Sequence, residues 1–290
     1  MVLQQLANSL ALGGVYALMT LGYSLIFGVL RLLHFAYGDV MVISGYIALT
    51  LLAASSHSFG LTLVSVVVIV SLLGVFVERV IFRPTRNAPH IVSLISSIGM
   101  SLMIQNAMLL LWGPARRLFV VEIPVPTMLA GGMQLSGSRI LSIVVSIAAM
   151  VALDTLLRRT RFGMAIRGTI LDPDAAVLMG INREFIVAST FIAGSALSGV
   201  AMVLLGSMYG AIYPTEGTAI GTKTFAAAII GGLGSIPGAV VGSLLLAFAE
   251  TFSAAYVSVK YKDAIAMVLL VLVLLIRPAG ILGKHMEENI

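Results

Sequence analysis

Long apolar runs separated by short polar or glycine-rich stretches set the pattern of this chain, with seven of them at 6–30, 40–54, 61–82, 91–112, 140–157, 185–208 and 264–276. Each reaches, or nearly reaches with tilt, the ~20 residues that cross a ~30 Å hydrocarbon layer. An eighth apolar region, 219–255, is cut near its middle by Gly231, Gly232, Gly234, Pro237 and Gly238, and reads as two short half-helices around a break. None of these runs alternates apolar and polar residues as the strands of a membrane barrel do. An unbroken apolar run in lipid must satisfy its own backbone N–H and C=O groups, and a helix does so. The pattern predicts an all-α, polytopic membrane protein of about eight transmembrane helices, with a broken or re-entrant segment near 219–255, in a single transmembrane domain over 1–290.

Composition strengthens this reading. Of 290 residues, 59% are hydrophobic and 10% charged, with a mean hydropathy of +1.09, whereas soluble domains carry roughly 25% charged residues. The absence of cysteine excludes disulfides, thiolate metal sites and a cysteine nucleophile. His34, His57, His90 and His285 are scattered without metal-ligand spacing, so no metal or other cofactor is expected. The net charge of +5 does not indicate a nucleic-acid partner, because the basic residues sit in short loops between the runs. No Lys or Arg precedes the first run, so a cleaved secretory signal is not expected and that run should stay in the mature chain.

The loop charges give an orientation. Arg79, Arg83 and Arg86 follow the third run, Arg158, Arg159, Arg161 and Arg167 the fifth, and Arg277 and Lys284 the last. By the positive-inside rule these segments, and the C-terminus with them, face the cytoplasm. The loops 113–138 and 209–218 then lie outside, as does the N-terminus, while Lys260 and Lys262 fall outside against the trend.

The one substantial cytoplasmic segment, 158–184, carries a local pattern with a physical reading. Asp172 can cap a helix that starts with Pro173 and continues through Asp174, Ala175, Ala176, Val177 and Leu178 to Met179, and Gly180 can end it. Two turns are too short to be stable alone in water, so such a helix rests on a partner surface. The spacing D-A-A-x-x-x-G resembles the E-A-A-x-x-x-G loop by which ABC importer permeases dock their ATPases, with Asp in place of Glu and without the downstream Leu-Pro part. Taken alone, it equally fits an ordinary interfacial helix.

Six ordered blocks extend the resemblance. They are LHFAYGDVMVISGY (33–46), ERVIFRPTR (78–86), the stretch 94–113, TRFGMAIRGTILDPDAAVLMGIN (160–182), TKTFAAAIIGGLGSIPGAVVGSLLLAFAE (222–250) and RPAGILG (277–283). Together they resemble the LivH-type subunit of the branched-chain amino-acid ABC permease family, a family that also includes urea and short-chain amide permeases. The resemblance implies a multi-pass permease of the bacterial inner membrane that pairs with a second, LivM-like permease, two cytoplasmic ABC ATPases and a periplasmic or lipid-anchored solute-binding protein. It also implies alternating access driven through the cytoplasmic helix, with ATPase-coupling residues Arg167, Asp172, Pro173, Asp174, Ala175, Ala176, Met179 and Gly180. ATP hydrolysis then belongs to the partner. Consistent with that, the nearest approach to a phosphate loop, Gly217, Gly221, Lys223 and Thr224, has the wrong spacing.

Candidates for the solute pathway are polar groups and backbone breaks inside the apolar runs. Asp39 opens the second run near His34 and Tyr37, and is either a pathway group or an interfacial acid stabilised by its helix dipole. Glu250 carries the same ambiguity. Gln105 and Asn106 can line a channel or join neighbouring helices. Gly232, Gly234 and Pro237 mark either a break that lines a cavity or a tight cytoplasmic turn. A stand-alone secondary transporter would need more ionisable groups within its spans, and an intramembrane enzyme would need a nucleophile or metal motif that this sequence lacks.

Overall fold

A computed structural model describes residues 2–54, 59–86, 88–119, 128–130 and 133–283. His57, His285 and Lys284 lie outside the described residues. The helices are α1 (Val2–Leu30), α2 (Tyr37–Ala54), α3 (Phe59–Val77), α4 (Arg83–Thr85), α5 (His90–Trp112), α6 (Gly137–Arg159), α7 (Arg161–Leu171), α8 (Pro173–Leu178), α9 (Arg183–Tyr209), α10 (Gly217–Gly231), α11 (Ile236–Tyr256) and α12 (Lys262–Ile276). A π-helical turn, Glu78–Phe82, joins α3 to α4. The strands among the described residues are two short antiparallel pairs, β1 (Arg117–Leu118) with β4 (Ala211–Ile212), and β2 (Met128–Ala130) with β3 (Met133–Leu135). Among the described residues six helices are long and apolar enough to cross a membrane, among them α3 continued to Thr85, and α2 is a shorter apolar helix. The protein is therefore an all-α, multi-pass membrane protein, as its pattern predicts.

Helix α1 is the central post. Its most apolar stretch is 89% buried, against 22% for those of α5 and α6, and it packs on α9, α11, α6 and α10. Small residues make these close crossings possible. A methyl on Gly22 would collide with the Gly194 carbonyl of α9, and one on Gly13 would meet Leu244 of α11. The Tyr37 hydroxyl lies 3.1 Å from the Met19 carbonyl and 3.1 Å from that of Gly194, tying α2 to both helices. The outer helices α3, α5 and α12 turn Val64, Leu72, Leu102, Leu110, Val271 and Leu275 outward, as helices bathed in lipid do.

One end of the bundle gathers the arginines. Arg31, after α1, reaches the Ile170 carbonyl of α7; Arg83 pairs with Glu184 at the start of α9 at 2.7 Å; and Arg86 pairs with Glu78. Two helices begin inside the bundle rather than at an end. From Arg31 the chain runs back as a non-helical stretch, and α2 starts beside Met19, roughly 16 Å from the end of α1 at ~1.5 Å per residue. Helix α10 ends at the arginine-rich end and starts roughly 21 Å away, by the same rise.

The region expected to hold two half-helices resolves differently. Its second half, α11, is a full 21-residue span, and the glycine break is the turn between α10 and α11 at the arginine-rich end. There Ile281 and Leu282 donate their N–H groups to the Ile230 and Gly231 carbonyls, both at 2.9 Å. The turn is closed by backbone of the C-terminal segment, so its freed carbonyls are satisfied by protein.

Candidate functional site

The starts of α2 and α10 meet face to face inside the bundle. Gly38 and Gly217 lie so close that a methyl on Gly38 would overlap the Gly217 carbonyl, and one on Gly217 would overlap the Asp39 carboxylate. Asp39 stands in the first turn of α2 and is fully buried within the bundle. Both helix N-termini present their positive ends here, which stabilises a carboxylate that would otherwise be costly to bury. Ser101 of α5 donates to Asp39 Oδ2 at 2.5 Å, and Gln105, one turn further along, donates to Oδ1 at 3.0 Å. The Gln105 amide also donates to Thr218 of α10 at 2.9 Å. The i, i+4 spacing of Ser101 and Gln105 places both on the face of α5 that looks at α10.

Between α5 and α10 a cavity of about 480 Å³ opens, lined by Tyr23, Phe35, Ser101, Gln105, Thr218 and Phe225, among others. That volume is in the range of small-molecule clefts, ~300–1,000 Å³. His34 also lines it and is 4% exposed, with its ring against Phe82 and Phe191 and its Nδ1 without a hydrogen-bond partner among the described residues. Its neighbour residue Phe35 donates its N–H to Ser97 of α5 at 3.4 Å. Before α10, burial raises the Glu216 carboxyl above its ordinary range, against the pull of the Tyr213 backbone N–H and of Lys223 and Lys262.

The sequence candidates divide. Asp39 and Gln105 come together at this cavity, whereas Asn106 faces outward and donates to the Leu102 carbonyl of its own helix at 2.7 Å. Gly232, Gly234 and Pro237 lie at the arginine-rich end, away from the cavity. Glu250 of α11 belongs to a second polar cluster. It accepts from Lys223 of α10 at 2.6 Å and from the Tyr16 hydroxyl at 2.7 Å, while Lys223 also lies 2.8 Å from Asp263 and Lys262 lies 3.6 Å from Glu250. Lys223, Tyr16, Ser101 and Thr218 were not singled out as site residues in the sequence. A usable signal existed for one of them, since Lys223 and Glu250 are the two charged residues between 217 and 252 and have opposite signs.

At the arginine-rich end, α7 and α8 form a short hairpin between α6 and α9. The Asp172 carboxylate accepts from the Asp174 and Ala175 N–H groups, each at 3.0 Å, so the predicted cap is present. Gly180 ends α8 with φ +83°. Its N–H bonds to the Val177 carbonyl at 2.9 Å, and the Ile181 N–H to that of Ala176 at 3.0 Å, the paired closure of a Schellman motif. Ala176 packs inward, while Leu171, Leu178 and Met179 are more than four-fifths exposed. Helix α7 was not anticipated. Thr160 caps it at the Gly163 N–H, Gly163 lies tight against the end of α6, and the Arg167 guanidinium donates to the Leu157 carbonyl, binding α7 to α6.

Among the described residues no group of three or more His, Asp or Glu could hold a metal ion. A family model described as branched-chain amino acid transport system / permease component matches residues 5–274. The chain is 39% identical to the high-affinity branched-chain amino acid transport system permease protein LivH of Escherichia coli (strain K12), over 99% of this chain and 97% of that protein. It is 40% identical to the corresponding BraD of Pseudomonas aeruginosa, over 99% and 98%, and 28% identical to the probable LivH of Methanocaldococcus jannaschii, over 98% and 93%. The solved structure of PsaBC from Streptococcus pneumoniae in complex with Fab matches with a TM-score of 0.51 over 94% of this chain and 91% of that one, at 12% identity, a likeness of fold alone. The six ordered blocks thus carried a true resemblance: the chain belongs to the branched-chain amino-acid transport permease family, as a permease component of an ABC transport system and not itself an enzyme.

Proposed function

We propose that this chain forms one half of the translocation pathway of an importer for branched-chain amino acids, with the α5–α10 cavity as its solute-facing wall. A second, related permease subunit closes the pathway. Helix α5 supports this reading, because it packs mainly on α2 and the π-helical turn, reaches α10 across the cavity through the Gln105–Thr218 bond, and leaves Leu102 and Leu110 exposed. The arginine-rich end faces the cytoplasm of the bacterial inner membrane, following the positive-inside rule, and both chain orientation and C-terminal placement follow from it. A periplasmic or lipid-anchored solute-binding protein delivers solute at the opposite end.

The α7–α8 hairpin then docks one of two cytoplasmic ATPases. The observation that carries this is an apolar tip at a charged end: Leu178 is 88% and Met179 83% exposed on a helix capped at both ends. A two-turn helix is held in shape by its caps and its neighbours, and an exposed apolar tip on such a scaffold suits a groove on a partner. Movement of that partner would reach the bundle through Arg167 and α6 and through Ile170 against Gly28 of α1.

The test is co-purification and uptake. Leu178→Glu together with Met179→Glu should abolish recovery of the ATPase with the membrane subunits and abolish ATP-driven leucine uptake, with the chain still inserted in the membrane. Undiminished association and uptake would exclude α8 as the docking element.

A further inference from the structure

The side-chain amide of Gln105 has a fixed orientation, and that orientation says what the cavity can recognise. Its nitrogen donates one hydrogen to Asp39 Oδ1 at 3.0 Å and the other to Thr218 Oγ1 at 2.9 Å. Turning the amide over would set its oxygen against the carboxylate, two acceptors with no proton between them. Both donors are therefore spent on the protein. The amide oxygen, Oε1, has no donor among the described residues, yet it is not among the buried atoms lacking one, so it is an accessible acceptor on a side chain that lines the cavity. Behind it stands Asp39, for which no Lys, Arg or His lies within ion-pair distance among the described residues. The surrounding wall is apolar, with Phe35, Ile98, Leu102 and Phe225.

We propose that Gln105 Oε1 is an ammonium-recognition point in the pathway, accepting a hydrogen bond from the α-ammonium group of the passing amino acid. Its aliphatic side chain lies along Ile98, Leu102 and Phe225. Asp39 is a positioning residue: it aligns the amide and adds a negative charge behind it, so the wall favours a cationic donor over an anion or a bare hydrocarbon. Ser101 completes the arrangement by donating to the other carboxylate oxygen. A permease of this construction checks the amino group of its solute within the membrane, after any selection made outside it. The inference rests on the proposal that the α5–α10 cavity lines the pathway.

The experiment uses the complete transporter, with its ATPase and leucine-loaded binding protein, in proteoliposomes, and reads radiolabelled leucine moved per ATP hydrolysed. Gln105→Met keeps the length of the side chain and removes the acceptor. It should lower the ratio about tenfold, the loss that one charged hydrogen bond carries. Asp39→Asn, which removes the charge and frees the amide to turn, should lower it in the same direction. A ratio unchanged in Gln105→Met overturns the proposal, including the case in which uptake and hydrolysis fall in proportion, because that marks a structural role. Thr222→Trp separates this from the underlying reading, since a bulky ring on the α10 wall should block uptake if the cavity is the pathway. Uptake unimpaired by that ring removes the pathway reading itself, whereas a block by Thr222→Trp with an unaltered ratio in Gln105→Met removes the ammonium point alone.

Discussion

Gly38 and Gly217 meet backbone to backbone where α2 and α10 begin, and neither has room for a methyl group. A Cβ at Gly38 would also lie 2.8 Å from the Gly221 nitrogen and 2.9 Å from its Cα. The atoms facing Gly38 are backbone and cannot swing away as a side chain can, while those facing Gly217 are the Cα and the hydrogen-bonded carboxylate of Asp39. Gly38→Ala or Gly217→Ala should therefore destabilise the protein by at least the ~1–3 kcal/mol of ordinary overpacking, and should displace Asp39 as well. The check is the thermal aggregation midpoint of detergent-solubilised protein, expected to fall by several degrees. Gly99→Ala serves as the contrast: it is helical, and nothing lies within 4 Å of its added methyl, so its midpoint should hold or rise, Ala being favoured over Gly by about 1 kcal/mol in a helix.

The Lys223–Glu250 pair makes a second prediction. Glu250 is 2% exposed and is shared by Lys223, Lys262 and Tyr16. Removing one partner leaves a buried charge uncompensated, a loss of ~3–5 kcal/mol, whereas removing both with apolar residues of like volume is near neutral. Lys223→Met alone should be milder than Glu250→Leu alone, because Lys262 remains near the carboxylate, while Glu250→Leu strands Lys223 with Asp263, which is largely exposed. The double variant should recover most of the stability lost in Glu250→Leu. Urea-independent thermal midpoints of the four proteins form the cycle, and additive losses would show that the pair does not act as a unit.

The parts of the molecule written in local code were legible and the parts set by tertiary contact were not. Apolar run length and the absence of alternation gave the spans, because lipid imposes that pattern on each helix separately. Asp172 and Gly180 were readable as caps because a cap involves residues two to four apart. Helix α7 escaped because Gly163 and Gly168 lower its propensity, and what holds it is Arg167 on the end of α6. Asp39 was visible as an acid in an apolar run, yet its burial follows from α2 beginning inside the bundle, which depends on Tyr37 reaching Met19 and Gly194. Gln105 and Asn106 are adjacent and chemically alike, and one helical step of 100° sends one toward Asp39 and the other outward. The glycine cluster at 231–238 could be a pathway break or a turn on its sequence alone, and its pairing with 281–282 decides where it sits.

The caps of α8 give a prediction with a graded outcome. Asp172→Ala removes the acceptor for two N–H groups and should cost about 1 kcal/mol locally. Asp172→Asn, which keeps an acceptor, should retain most function. Gly180→Val forces a β-branched residue to φ +83°, where such side chains are strained, although a methyl at Gly180 would touch nothing. Uptake should therefore fall in the order Asp172→Asn, Asp172→Ala, Gly180→Val, with membrane levels of the protein unchanged by immunoblot. Equal uptake in all three would mean that the shape of α8 does not matter to transport.

The C-terminal clip on the α10–α11 turn yields the last prediction. Gly280 has φ +80°, and a Cβ there would stand 2.5 Å from the Gly232 nitrogen and 2.6 Å from the Ile229 carbonyl oxygen. Two separate penalties therefore meet at one residue, the left-handed backbone and the collision with the turn it closes. Gly280→Ala should push the 277–283 segment away from α10 and break the bonds from Ile281 and Leu282 to the Ile230 and Gly231 carbonyls. Those carbonyls lie at the end of α10, whose last turn has no helical partner for them. Hydrogen exchange should then rise at 228–238 and at 281–282 together, while α1 and α9 keep their protection. Faster exchange confined to 277–283, with the turn unchanged, would show that the turn closes without the clip.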